Sequence, residues 1–314
     1  MIIKDEKSQS KKKEKWNLPN VQNKLMYLLR NTTVEPMLGC YIIASVLANL
    51  ATQNLNLKKA CRVNLNFTDE VCTALERRET QNYTSEEIIV QQLVADMITW
   101  KTLVQSSIPA ALIIFIGAWS DRTGRRKPGM LMPIVGEFLT SIGLIICTYY
   151  FYELPMEVAG LIEAIFPAIT GGWMTMFMAV FSYVGDITSV KTRTLRIGIV
   201  NVFCSVGIPI GTALSGVLYR EIGSYGVYTI SSLLYIFGFL YGAFVMPESG
   251  KKSEIRKDLT KEKERKKCFL KKFFDLRHIK EAFHVAFKDD GHSRRLRIIM
   301  LMVVMIVVMG PLHG

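Results

Sequence analysis

Gly117-Ala118-Trp119-Ser120-Asp121-Arg122-Thr123-Gly124-Arg125-Arg126-Lys127 lies between two apolar runs, each long enough to cross a bilayer. Five charged side chains fill a hairpin too short to be a domain, and a glycine marks its turn. An excess of Lys and Arg in a short loop places that loop on the cytoplasmic side of a membrane. Lipid cannot satisfy backbone N–H and C=O groups, so the flanking runs must be helices. The stretch thus fixes the class as an all-α integral membrane protein.

Working outward, six apolar spans are expected at residues 36–55, 98–119, 130–151, 156–183, 197–219 and 226–246. Each is near the ~20 residues that cross a ~30 Å hydrocarbon core. A seventh begins near Leu296 and runs to Gly314. The mean hydropathy is +0.23 although 21% of residues are charged, so charge is segregated into some segments and absent from others. The resulting layout is a cytoplasmic tail at 1–33, a six-helix bundle at 34–246 with an external loop at 56–97, a basic cytoplasmic linker at 247–295, and the start of a seventh helix at 296–314.

Loop charge gives the orientation. The tail, the 2–3 hairpin, the 4–5 loop with Lys191, Arg193 and Arg196, and the 6–7 linker are basic. The 3–4 turn carries Glu153 and Glu157 without Lys or Arg. Alternate loops therefore differ in sign, which predicts a cytosolic N-terminus. The first apolar run follows a Lys-rich tail with no small-residue cleavage site, so the first helix is expected to act as its own signal anchor.

The net charge of +12 raises nucleic-acid binding as a question. The excess sits in the tail and in residues 251–297, with no aromatic-interleaved basic sheet or recognition helix, which argues against the class. No nucleophile–base pair, nucleotide loop or metal-ligand cluster stands out, so neither an enzyme nor a cofactor is expected. In the linker, Phe269, Phe273, Leu276, Phe283 and Phe287 recur at helical intervals among basic residues. That pattern predicts a surface helix on membrane lipid, with calmodulin binding as the sharper alternative.

The external loop holds two glycosylation sequons, at Asn66 and Asn82, on the lumenal side. A third at Asn31 falls on the cytosolic side and is read as chance. Cys61 and Cys72 share the same loop and face oxidising conditions; a local disulfide and pairing with another loop are both open.

Three stretches carry a family resemblance: Val34-Glu35-Pro36 before the first helix, the hairpin with its G-x-x-x-D-x-x-G-R-R spacing, and Tyr183-Val184-Gly185-Asp186-Ile187-Thr188 running on to Arg193-Thr194-Leu195-Arg196-Ile197-Gly198. With them the chain resembles the major facilitator superfamily and, within it, the solute carrier 46 family. The resemblance implies a twelve-helix fold of which this is the N-terminal portion, completed by a C-terminal bundle. It implies a secondary-active transporter of a small polar organic solute, folate-like or another organic anion, working by alternating access with protons as the candidate coupling ion. It implies the plasma membrane, with lysosomal or endosomal membranes as alternatives. A seven-helix receptor and a truncated regulatory or non-functional isoform are the competing readings.

For mechanism, Asp121 with Arg125 is the first candidate pair. A carboxylate at a helix end can pair with an arginine and latch the cytoplasmic face. The resemblance extends the gating role to Gly124 and Arg126, and Asp186 with Arg193 and Arg196 frames a second charge cluster. Ionisable residues inside spans are functional candidates by default, which singles out Glu137 and Glu163 as proton or substrate groups. Lys101 sits near the outer end of the second span and is expected to snorkel. Asn201 stands where the folate-transporting branch has a titrating carboxylate, so its amide departs from that pattern. His313 resembles a family histidine linked to proton coupling. Gly207, Gly211 and Gly216 on the fifth helix, and Gly171-Gly172 on the fourth, are expected to let helices approach closely.

Overall fold

Helices begin where the apolar runs do. A computed structural model describes residues 33–79 and 81–249, together with Leu296, Met300, Val303 and Val304. Helix α1 runs Glu35–Lys59, with Pro36 in its first turn where the missing N–H costs nothing, and continues through a π turn at Ala60–Asn64. Next come α2 (Asp69–Arg77), α3 (Thr84–Thr123), α4 (Lys127–Tyr149), α5 (Met156–Thr170), α6 (Gly172–Ile187) and α7 (Val190–Leu240), the last ending in a π turn at Tyr241–Val245. The tail before Thr33, the amphipathic linker pattern, His313 and most of the seventh span lie outside the described residues.

Five candidate membrane spans emerge by length and composition, and the last, Val190–Val245, has 56 residues. At about 1.5 Å per residue that is far more than one ~30 Å core. Gly223 resolves it: at φ 65° and ψ −173° it breaks α7 into two limbs. Both limbs pack on α1, the first through Gly207 and Gly211 against Ile42 and Val46, the second through Gly238 against Cys40. The six expected crossings are thus α1, α3, α4, α5 with α6, and the two limbs of α7.

Two expectations change. Residues 56–97 are largely helical rather than loop: α1 extends outward, α2 folds back on it, and α3 starts at Thr84, well before residue 98. The Gly171-Gly172 pair does not serve close approach; it breaks the fourth crossing in two. Gly171 has φ 90° and Gly172 φ 54°, and a Cβ on Gly171 would strike the Thr175 side chain. Left-handed backbone at successive positions is a glycine conformation.

The packing has an internal symmetry. Helix α1 contacts both limbs of α7; α5 and α6 contact α3 and α4; and α4 contacts α7. Exchanging crossings one with four, two with five and three with six maps these contacts onto each other, as in a bundle built from two three-helix repeats. Small residues sit at the close approaches, Gly129 against Ala179 and Gly143 against Ile162. In lipid such packing replaces the hydrophobic drive that holds a soluble core. Gly211 illustrates the tolerance: a Cβ there would lie 3.0 Å from the Val46 side chain. Gly211→Leu is expected to part α1 from α7 and cost about 1–3 kcal/mol of stability, read as a lowered unfolding midpoint in detergent. A midpoint equal to that of the parent would contradict this packing.

Beyond the end of α1, Cys61 and Cys72 form a disulfide with Cα atoms 5.8 Å apart, which selects the local pairing. Glu76 of α2 pairs with Lys58 at 3.0 Å and with Arg62 at 3.4 Å. Lys59, fully buried, donates to the carbonyls of Phe151 and Leu154, both at 2.7 Å, and thereby clamps the 3–4 turn.

Candidate functional site

The hairpin after α3 is shaped by its glycine. Gly124 caps α3 at φ 64° with its N–H on the Ser120 carbonyl, a left-handed cap that favours glycine. Pro128 then opens α4, and Arg126, its N-cap residue, turns inward. The Arg126 Nε donates to Asp186 Oδ2 at 2.8 Å, and Nη1 donates to Asp121 Oδ1 at 2.6 Å and to Ser120 Oγ at 3.1 Å. One guanidinium thus joins the end of α3, the start of α4 and the end of α6. Burial alone would pull Arg126 down, but its hydrogen bonds to the carboxylates of Asp186 and then Asp121 outweigh it and raise it above the usual arginine value. The charge is permanent.

This corrects the expected pair. Asp121 meets Arg126, whereas the Arg125 side chain is exposed and that residue contributes its carbonyl to the Ser120 hydroxyl at 2.9 Å. The left-handed turn at Gly124 decides which of two adjacent arginines points inward. Asp186 joins this cluster too, while Arg193 donates to the Gly185 carbonyl at 2.9 Å. Arg196 reaches Glu35, Nη1 to Oε1 at 2.6 Å, with Nη2 on Thr33 Oγ1 at 3.2 Å. Glu35 is fully buried and also accepts the N–H groups of Thr33 and Val34 at 2.9 and 3.0 Å. Sequence reading quoted Glu35 only as part of a resemblance; its signal was a carboxylate directly before the proline that opens a membrane helix.

The end of the sixth crossing is tied to the same face. Lys127 Nζ donates to the Ala243 carbonyl at 3.0 Å, Tyr183 Oη to that of Pro247 at 2.8 Å, and Ser249 Oγ to that of Gly124 at 3.3 Å.

Inside the bundle, Glu163 forms an ion pair with Lys101, Oε2 to Nζ at 2.7 Å, and the Gln105 amide caps the Glu163 carbonyl at 2.8 Å. Lys101 therefore does not snorkel outward; it turns to α5. Glu137 stands near the middle of α4, within electrostatic reach of the hydroxyls of Tyr41 and Tyr235 and of Glu163. Neither tyrosine hydroxyl has a hydrogen-bond partner among the described residues. The rings of Tyr41 and Trp173 lie 5.6 Å apart, and the Trp173 indole donates to Ser45 Oγ at 3.2 Å. Asn201 is exposed on the first limb of α7.

Beside that cluster a cleft of about 270 Å³ is lined by Ser45, Val46, Asn49, Leu50, Trp173 and Thr212. Asn49 lies near the middle of the Glu35–Asn64 crossing and Trp173 near the middle of Met156–Ile187, one residue past the helix break. Asn49 and Thr212 are exposed. Sequence reading missed all of these residues except as members of apolar runs.

The model of the Major Facilitator Superfamily matches residues 37–312. The chain belongs to the major facilitator superfamily. It is a multi-pass membrane protein of that superfamily. It is 26% identical over 228 residues to a probable peptidoglycan muropeptide transporter of Drosophila melanogaster, covering 71% of this chain and 43% of the relative. It is 23% identical over 291 residues to a lysosomal proton-coupled steroid conjugate and bile acid symporter of Gallus gallus, covering 90% of this chain and 59% of the relative. A shorter match, 27% over 137 residues, joins it to the proton-coupled folate transporter of Bos taurus, with 43% of this chain and 29% of that protein covered. The first two relatives carry the solute carrier 46 name, which agrees with the resemblance in the Tyr183–Gly198 stretch. The chain spans about half the length of these two relatives.

Proposed function

We propose that this chain forms one bundle of a secondary-active solute transporter that works by alternating access, with the solute bound between it and a second bundle near mid-membrane. The observation that carries the proposal is the exposure of Asn49 and Thr212 on membrane crossings beside a broken helix. Amide and hydroxyl groups at that depth, and non-helical backbone such as Gly171-Gly172, are stable against a water-filled cavity or another bundle, not against lipid. The Arg126 cluster supports a cytoplasmic gate, because it ties three helix ends through one buried charge and would have to strain or open as bundles rock.

Glu137 is the proton-carrying group in this reading. Within its electrostatic reach, among the described residues, are the Tyr41 and Tyr235 hydroxyls and the carboxylate of Glu163, whose charge Lys101 balances. The test is uptake of labelled folate, bile-acid conjugate and muropeptide by cells displaying this chain together with the second bundle, at acidic and neutral external pH. Uptake of at least one, stimulated by acid, with Glu137→Gln keeping uptake but losing the stimulation, is the expected result. Failure to accumulate any of the three at either pH would remove the transporter reading as stated.

With the N-terminus cytosolic, Asn66 and Asn82 lie outside, and both are exposed. Asn66 sits at φ 51°, a left-handed position that asparagine tolerates. Both sites are expected to carry glycans: Asn66→Gln and Asn82→Gln each remove one glycosidase-sensitive step of gel mobility, and the double variant removes both. A parent chain whose mobility ignores glycosidase would overturn this orientation.

A further inference from the structure

The cleft contains no charged side chain among its lining residues, although the resemblance pointed to an anionic solute. Its hydrogen-bonding capacity can be counted atom by atom. Asn49 Oδ1 already accepts from Gln53 Nε2 at 2.8 Å, which leaves the Asn49 amide N–H groups to donate. Thr212 Oγ1 donates to the Ile208 carbonyl at 2.9 Å, which leaves its lone pairs to accept. Ser45 accepts the Trp173 indole N–H, holding that ring at the cleft wall. The solute therefore meets a donor, an acceptor and an aromatic wall.

A carboxylate accepts only: it can take the Asn49 N–H groups, but the Thr212 lone pairs repel it and no cation lines the cleft to offset the desolvation of its charge. A secondary amide or a sugar hydroxyl offers both a donor and an acceptor and is uncharged. At about 270 Å³ the space is slightly below the range of ~300–1,000 Å³ for whole-ligand pockets, so it fits a portion of a solute. Resting on the transporter reading above, we propose that Asn49, Thr212 and Trp173 bind an uncharged donor–acceptor portion of the solute, an amide or polyhydroxyl group, and that this half of the site does not hold the solute's negative charge.

The experiment uses the full chain in lipid nanodiscs and reads tryptophan fluorescence during titration with methyl N-acetylglucosaminide or with benzoate. Trp173→Phe identifies the responding indole. The neutral glycoside should change the Trp173 signal saturably, with benzoate much weaker. Asn49→Leu and Thr212→Val should each weaken glycoside binding by up to about tenfold, the scale of one lost neutral hydrogen bond. Asn49→Asp, which keeps the shape but removes the donor, should do the same, while the exposed Leu233→Ala on the second limb of α7 should change nothing. These variants retain the parent unfolding midpoint if the effect is local, and a lowered midpoint for Asn49→Leu leaves Asn49→Asp and Thr212→Val to decide. Equal or tighter benzoate binding, or glycoside binding indifferent to both Asn49→Asp and Thr212→Val, overturns the inference and leaves the transporter reading standing. A Trp173 signal that answers neither probe counts against the mid-membrane site itself.

Discussion

Arg126→Ala is expected to abolish solute movement and to destabilise the bundle by about 3–5 kcal/mol, the cost of leaving a buried partner charge uncompensated. The two carboxylates it serves are not equivalent. Asp186 has a side chain only 10% exposed, whereas that of Asp121 is 71% exposed. Removing the guanidinium strands Asp186 in a desolvated site, while Asp121 can turn to water. The asymmetry makes the prediction specific. Asp121→Asn should cost less than about 1 kcal/mol in stability, as exposed pairs do, and Asp186→Asn several times more. Arg126→Lys should fall between, because an ammonium is a point charge and cannot present the fork that meets both carboxylates at once. Unfolding in detergent measures the stability series, and uptake at matched surface expression measures the gate. Added salt should weaken the Asp121 contribution and hardly touch that of Asp186. If Asp121→Asn proved as damaging as Asp186→Asn, the buried bridge would not be the element that holds the face together.

The same cluster shows what a sequence can and cannot say. The hairpin's place between two membrane helices was legible, because hydropathy and loop charge are local properties that lipid enforces. Which arginine points inward was not, because Arg125 and Arg126 differ only through the backbone turn at Gly124. The helices behind the six expected crossings were legible, but the first part of α3 was missed: Thr84 to Ala95 is too polar to register as a span, and is helical because it packs on the disulfide-linked cap through Val90. At Gly171-Gly172 a close-packing pair and a helix break have the same sequence signature. Only the positive φ angles separate them. The cleft was invisible for another reason. Asn49, Trp173 and Thr212 come from three crossings far apart in the chain, and each alone is an ordinary interruption of an apolar run. Glu137 and Glu163 were legible as ionisable residues in membrane helices, yet their different situations, one paired with Lys101 and one within electrostatic reach of two tyrosines, depend on which helices are neighbours.

Lys101→Met is expected to produce the second large effect, and its partner variant tells why. Lys101 and Glu163 are 17% and 12% exposed at their side chains, on two crossings in contact with each other. Deleting the ammonium alone leaves a carboxylate uncompensated within the bundle, which should cost about 3–5 kcal/mol. Glu163→Met alone leaves a lone ammonium and should cost a similar amount. The double variant Lys101→Met with Glu163→Met removes both charges and fills the space with apolar atoms. Its stability should return to within about 1–2 kcal/mol of the parent, since buried pairs are often matched by well-packed apolar replacements. The coupling energy from this cycle should then exceed about 2 kcal/mol, which separates a paired charge from two independent ones. A second readout distinguishes architecture from solute handling. If the pair only joins α3 to α5, the double variant recovers transport along with stability. If stability returns and transport does not, one of the two charges acts on the solute or the proton directly. Additive single effects would show that Lys101 and Glu163 are not partners in the membrane, and the neutrality assigned to the surroundings of Glu137 would fall with them.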